Sequence, residues 1–562
     1  MFNNKKYNHL FSGHRILLVG ILCLFGVCVA QVRTTQKTKQ NEPKKTKVYL
    51  LHSDILKFNK DLNPDAQILV GNVKFRHDRV YMDCDSAYFY EAKNSFEAFG
   101  NIKMQQGDTL FIYGDWLFYD GNSQIAMLRE NVRMINRETV LTTDSFNYDR
   151  VFNLGYFFDG GTLTDADNVL TSDWGEYSPA TKDAVFNYDV KLVNPKFTLT
   201  SDTLRYNSQT KIANIVGPSE IVSEANHIYS ELGFYNTVTG KANLLNRSVL
   251  TNGAKKLVGD SLFYDRNQGY GEAFRDVVMT DTENKSILTG EYGYYNELRG
   301  DALVTDSAVA INYSQNNDSL YMHGDTLKMV TYNINTDSVY RKMFVYYKVR
   351  IYKSDMQGVC DSLVFNSQDS CMTMYRDPIV WNGSQQLFGE EIRAYMNDST
   401  IDWAHIVNQA MSIEKIDSVH YNQVSGKEMK AYFKNGDLNN LDVIGNVRVG
   451  YYPMDSDSSL ISFVSAETSL MNLYLKQRKV EKIKMSPQTD GTTYPLLQIP
   501  ADKLYLPSFA WFDYIRPLDK NDIFVWRGKK AGQELKKEVK RKIPLPSLKN
   551  VVKKESPDVS NP

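Results

Sequence analysis

One phrase of apolar and polar positions recurs along the chain: an acidic residue followed four positions later by an aromatic one, as in Gly259-Asp260-Ser261-Leu262-Phe263-Tyr264. The acid stands at Asp54, Asp85, Asp115, Asp144, Asp173, Asp202, Glu231, Asp260, Glu291, Asp325, Asp361 and Glu391, 29 residues apart at each step between Asp115 and Asp260 and 30 to 36 elsewhere. Such a period signals a stacked repeat architecture. Four residues after the acid the column reads Phe58, Phe89, Tyr119, Tyr148, Tyr177, Tyr206, Tyr235, Tyr264, Tyr295, Met329, Phe365 and Tyr395. Three residues before it stand Leu51, Met82, Ile112, Leu141, Leu170, Leu199, Ile228, Leu257, Leu288, Met322, Gly358 and Phe388. Seven is an odd separation, so a flat strand of period two sends the two columns to opposite faces. The strand must therefore bend or bulge between them. A small residue just before most of the acids, from Ser53 to Cys360, suits such a corner, with the carboxylate accepting backbone N–H groups.

After the aromatic comes a turn such as Asp120-Gly121-Asn122-Ser123, then a returning strand that carries Ala126, Ala184, Ala213 or Ala242. A further phrase follows it, as in Val70-Gly71-Asn72-Val73, Phe99-Gly100-Asn101-Ile102 and Gly445-Asn446-Val447. The expected fold is all-β: an elongated antiparallel sheet folded over an apolar trough, with about twelve repeats of two bent strands each. At about 4.8 Å per strand this gives roughly 115 Å.

Composition agrees. The 562 residues are 42% hydrophobic and 12% aromatic, enough for a sizeable core. Net charge is −1, but residues 1–47 carry +8 and residues 527–562 carry +7, leaving −16 on the body between them. An acidic body is a poor nucleic-acid binder, so none is expected as a partner. Lys5, Lys6 and Arg15 precede an apolar run from Ile16 to Ala30, the pattern of a secretory signal with cleavage after Ala30. The minority alternative is a retained anchor. Cys84, Cys360 and Cys371 remain after cleavage, an odd number predicted to stay as free thiols. The resulting division is a signal peptide (1–30), a polar basic linker (31–47), the repeats (48–410), a C-terminal segment and cap (411–526), and a basic disordered tail (527–562).

The Gly-Asn-Val phrases and the Asp-x-Leu-x-Tyr strands resemble the OstA-like or LptA-like family of periplasmic lipopolysaccharide transport proteins. Gly426-Lys427-Glu428-Met429, Asp490-Gly491-Thr492-Thr493-Tyr494-Pro495 and Arg516-Pro517 extend the likeness to the large OstA-like proteins. The resemblance implies a twisted, V-shaped β-jelly roll and a non-enzymatic role without cofactor. Lipopolysaccharide would pass with its lipid A acyl chains in the trough, from an inner-membrane complex to an outer-membrane translocon. Both partners would dock on terminal strand edges, where end-to-end self-association is also expected. No outer-membrane barrel pattern follows, since the chain ends in a Lys-rich tail.

The trough residues expected to meet lipid are Leu117, Tyr119, Phe146, Tyr148, Tyr177, Leu204, Tyr206, Tyr235, Leu262, Tyr264 and Tyr295, with Leu141, Leu170, Leu199, Ile228 and Leu257. Gly175, Gly233 and Gly293 thin the middle column and are expected to leave space. The competing reading is a structural β-solenoid whose ladders fill their own core. A third reading, a β-helix enzyme on polysaccharide, needs clustered carboxylates on an outer face. Successive acids two strands apart lie roughly 10 Å from one another, too far to share a cation or proton. No nucleophile elbow, phosphate loop or metal spacing is present.

Overall fold

The odd seven-residue step is resolved by a bulge at every corner. In the computed structural model the strand Gln67–His77 pairs with Val80–Tyr90 so that Val70 faces Ser86 and Val73 faces Cys84. Gly71 and Asn72 thus oppose the single residue Asp85. Both sit in the left-handed region, with φ of 82° and 46°. Two residues against one resets the side-chain alternation, so Met82 and Cys84 before the corner and Ala87 and Phe89 after it all turn inward and are buried. The same pair of left-handed residues recurs at Gly100-Asn101, Glu130-Asn131, Tyr188-Asp189, Asn246-Arg247, Arg275-Asp276, Asn408-Gln409 and Gly445-Asn446. Glycine and asparagine tolerate this conformation best, which explains the Gly-Asn-Val phrase.

The structure describes residues 46–59, 64–224, 226–313, 318–397, 400–434, 437–476, 479–533 and 535. The expected signal (1–30), most of the basic linker and the tail beyond 535 lie outside the described residues. The strands pair antiparallel throughout the ladders traced below, and among the described residues the only helical elements are five single 3₁₀ turns. The chain forms two compact units. The first holds residues up to 137 together with 143–155; the second holds 138–142 and everything from 156 onward.

In the first unit, Tyr49–His52 and Ile55–Phe58 lie on one side of Gln67–His77. The ladder then runs through Val80–Tyr90, Ser95–Gln106, Leu110–Asp120 and Ile125–Asn136, each bulged at its corner. In the second unit an unbroken ladder runs from Asp183–Asn194 to Ser286–Asn296. Several later strands are cut in two at the corner, such as Asp301–Thr305 and Val309–Asn312. Pairing continues past residue 411 through Tyr421–Lys434, Asp437–Tyr451 and Phe463–Lys476, ending in Lys479–Ser486 and Asp490–Tyr494.

The structure moves one corner. The acid of the twelfth repeat is Glu390 rather than Glu391: its backbone N–H donates to Asn408 O at 3.2 Å, as Glu291 does to Asp306 O at 3.0 Å. Its carboxylate accepts Asn408 Nδ2 at 3.3 Å and Gln409 Nε2 at 2.7 Å. Gly389 then supplies the small residue, and buried Ala394 replaces Tyr395 in the inner column. In the next repeat Lys427 takes the acid's place beneath Gly445, where an added Cβ would lie 3.0 Å from Lys427 Cβ.

Candidate functional site: the apolar interior

The expected trough residues turn inward within each unit. Leu117, Tyr119, Phe146 and Tyr148 in the first unit, and Leu141, Leu170, Tyr177, Leu199, Leu204, Tyr206, Ile228, Tyr235, Leu257, Leu262 and Tyr264 in the second, are at most 5% exposed. Tyr295 is half-buried. The glycines leave no gap. A Cβ on Gly175 would meet the Phe157 ring at 2.5 Å, and one on Gly233 the backbone O of Asn243 at 2.4 Å. On Gly293 it would lie 2.8 Å from the Met279 methyl. Neighbouring rings, backbone and a methionine have moved into the space that the missing side chains left, as close packing requires.

Because each strand is bent, its two ends approach one another, and the tyrosine column closes that approach with hydrogen bonds. In the first unit Tyr119 Oη lies 2.6 Å from His77 Nδ1 and accepts from Arg150 Nη1 at 2.5 Å. Tyr148 Oη donates to Gln106 Oε1 at 3.4 Å and to Asn153 Oδ1 at 3.3 Å. In the second unit Tyr206 Oη donates to Asp165 Oδ2 at 2.6 Å, and Lys211 Nζ holds the same carboxylate at 2.7 Å. Phe197 packs edge-on against Tyr235, whose hydroxyl accepts from Arg266 at 2.9 Å. Lys255 Nζ donates to Tyr295 Oη at 2.7 Å. Burial pushes the phenols of Tyr119 and Tyr148 up to about 12, so both keep their protons at neutral pH. Burial, then the nearby Arg150 charge, pulls His77 below its ordinary value of 6.5, so it is neutral there.

Past Tyr295 the column becomes Met329, Phe365, Ala394 and Ala431, none of which offers a hydroxyl. From Met279 onward several apolar side chains are only half-buried. Met279, Leu288, Leu320, Met343, Phe365 and Phe433 are half-buried apolar side chains packed on a buried core that includes Met322, Met372, Met374, Met429 and Met471. A cavity of about 50 Å³ lies among Ile351, Met372, Met374, Ile392, Ile406 and Phe433, little more than one or two waters would fill. A longer guest must displace methionines, whose unbranched, polarisable side chains repack readily.

The corner acids face outward and are structural. Asn72, Asn101 and Asn131 donate their side-chain N–H to Asp54, Asp85 and Asp115 at 2.8, 2.8 and 2.6 Å. The carboxylates thus bind mainly the asparagine of the neighbouring Gly-Asn-Val phrase, a link between the two phrases that neither shows by itself. Among the described residues no group of acids, histidines and cysteines could hold a metal ion. Cys84, Cys360 and Cys371 are free and buried. Burial pushes the Cys84 thiol up to about 12 and raises the other two as well, which makes them weak nucleophiles.

The Pro-spaced segment after Tyr494 covers a face rather than an end of the sheet. Leu506, Phe509, Trp511, Phe512 and Ile515 pack on Val359, Ile379, Trp381, Phe388, Met411 and Ile413, on the side of the strands away from the interior. Buried glutamines fix its backbone. Gln386 donates to Ala510 O and accepts from Phe512 N, both at 2.8 Å. Gln423 donates to Leu504 O at 2.8 Å and accepts from Leu506 N at 2.9 Å. Gln357 accepts from Arg516 Nε at 2.8 Å, and the Arg350 guanidinium donates to Ile523 O.

Among the described residues no helix is long and apolar enough to cross a membrane. No curated protein matches the chain. Residues 45–202 and 225–319 match the family described as OstA-like protein. The bulged all-β repeat and this match agree, and over those residues the chain is similar to the OstA-like family.

Proposed function

We propose that the protein is a periplasmic carrier that shields the acyl chains of lipopolysaccharide between an inner-membrane transport complex and an outer-membrane translocon. The observation that carries this reading is a run of half-buried apolar side chains in the second unit, Met279, Leu288, Met343 and Phe365, packed on its apolar core. Each methylene buried there contributes about 0.8 kcal/mol, so several acyl chains are retained without polar recognition. Terminal strands supply the docking edges. Tyr49–His52 and Ile55–Phe58 are exposed, Phe58 at 63%, and a partner strand can add beside them. A second copy of the chain suits the same edges.

Mass spectrometry of lipid extracted from gently purified protein tests the reading. Lipopolysaccharide is expected with the wild type and lost with Phe365→Asp. The filled interior between Met82 and Tyr264 favours a second reading, a structural solenoid that carries nothing. Lipid-free protein from cells with an active transport pathway would support it instead.

A further inference from the structure

The inner column of the second unit changes chemistry where the interior opens. Up to Tyr295 the ends of the bent strands are tied by side chains: Asp165 to Tyr206 and Lys211, Asn168 to Thr237 at 3.1 Å, Asn252 to Glu297 at 2.8 Å, and Lys255 to Tyr295. From Met329 onward the column itself carries no hydroxyl, and among the described residues several apolar side chains, Met343 and Phe365 among them, stand half-buried on the core. The ties are polar and short, so parting them costs hydrogen bonds but breaks no strand ladder.

We propose that acyl chains load sideways into the second unit through the open stretch between strands Thr326–Tyr332 and Phe463–Lys476, and that the tyrosine clasps at Tyr206 and Tyr295 keep the neighbouring stretch shut until a chain parts them. This rests on the lipid-carrying reading above. Clasped and open stretches then have separate tasks within one sheet. The open stretch admits the guest against displaceable methionines. The clasped stretch excludes water and other amphiphiles while empty.

Two readouts on the full exported chain separate the parts of the claim. Hydrogen exchange without lipid compares the wild type with Tyr206→Phe/Tyr295→Phe, which keeps both rings and removes only the hydroxyls. Amides of 163–170 and 252–257 are expected to exchange about tenfold faster, the effect of losing one charge-assisted hydrogen bond, while amides beside the Ser201 corner are unchanged. Equal rates at the strand ends overturn the clasp.

The second readout places a photoreactive residue at Phe365 or at Leu204 and follows crosslinking to added lipopolysaccharide aggregates over time. Phe365 is expected to crosslink first, with Leu204 lagging several-fold and the lag shrinking in the double-Phe background. Equal time courses at the two positions in the wild type overturn sideways loading. Absence of crosslinks at both positions removes the lipid reading itself, a failure distinct from an unchanged exchange pattern.

Discussion

Residues 80–265 and residues 277–485 are built from the same bent, bulged strand, yet the inward side chains of the first are buried and several of the second stand half-buried. The corners are alike: Gly100-Asn101 and Gly445-Asn446 have the same left-handed backbone. The difference lies in one column. Tyrosines at 119, 148, 206 and 235 close the strand ends with hydroxyl contacts. Met329, Phe365 and Ala394 at the equivalent places cannot. A repeat fold can therefore be tuned from packed to receptive without altering its backbone, by exchanging a phenol for a thioether or a methyl group.

Substitutions that strike the two stretches unequally sharpen this contrast. The largest stability effect is expected from Leu204→Ala in the filled stretch, at about 2–5 kcal/mol by urea unfolding, because close packing leaves a cavity. Met343→Ala in the open stretch should cost only about 1 kcal/mol on the same measurement, since part of its surface is already wet. Equal losses would break the comparison.

Next in size is Gln386→Ala, which leaves the buried Phe512 N–H and Ala510 carbonyl without their partner. About 1–3 kcal/mol should be lost, with faster proteolysis of residues 495–530 as the readout. Acid acts on the clasp of the first unit. Buried His77 has a pKa below its ordinary 6.5, so its contribution is fully present above that pH and is lost as pH falls toward the lowered value. His77→Gln should flatten the pH profile of first-unit hydrogen exchange below 6.5. A small effect is also expected at the corners. Asn101→Ala removes an exposed hydrogen bond and places alanine at φ 45°, costing about 1–2 kcal/mol by thermal unfolding.

The repeat, its odd seven-residue step and the corner bulge were all legible because they repeat: a column read twelve times averages out loop insertions. The inward direction of Leu117, Tyr148, Leu199 and Tyr264 followed from that step alone. Three features were hidden. The fate of the space beside Gly175 depends on where the Phe157 and Phe186 rings swing, which is a property of three-dimensional packing. The corner at Glu390 was misplaced by one residue because Glu390 and Glu391 are adjacent acids and Tyr395 supplied a false aromatic. The hydroxyl partners His77, Gln106 and Asp165 lie about 40 residues from their tyrosines, across two turns whose lengths no local pattern fixes. The covering segment did leave a trace. Ile379-Val380-Trp381 is apolar at consecutive positions, the mark of a strand buried on both faces.

The central claim, that the open interior is a path for lipid, is tested most directly by photocrosslinking in living cells from Phe365, which faces the interior, against Val364, its outward neighbour on the same strand. Lipopolysaccharide crosslinked at Phe365 and none at Val364 is the expected result. Silence at both positions, in a folded and exported chain with transport running, would contradict it.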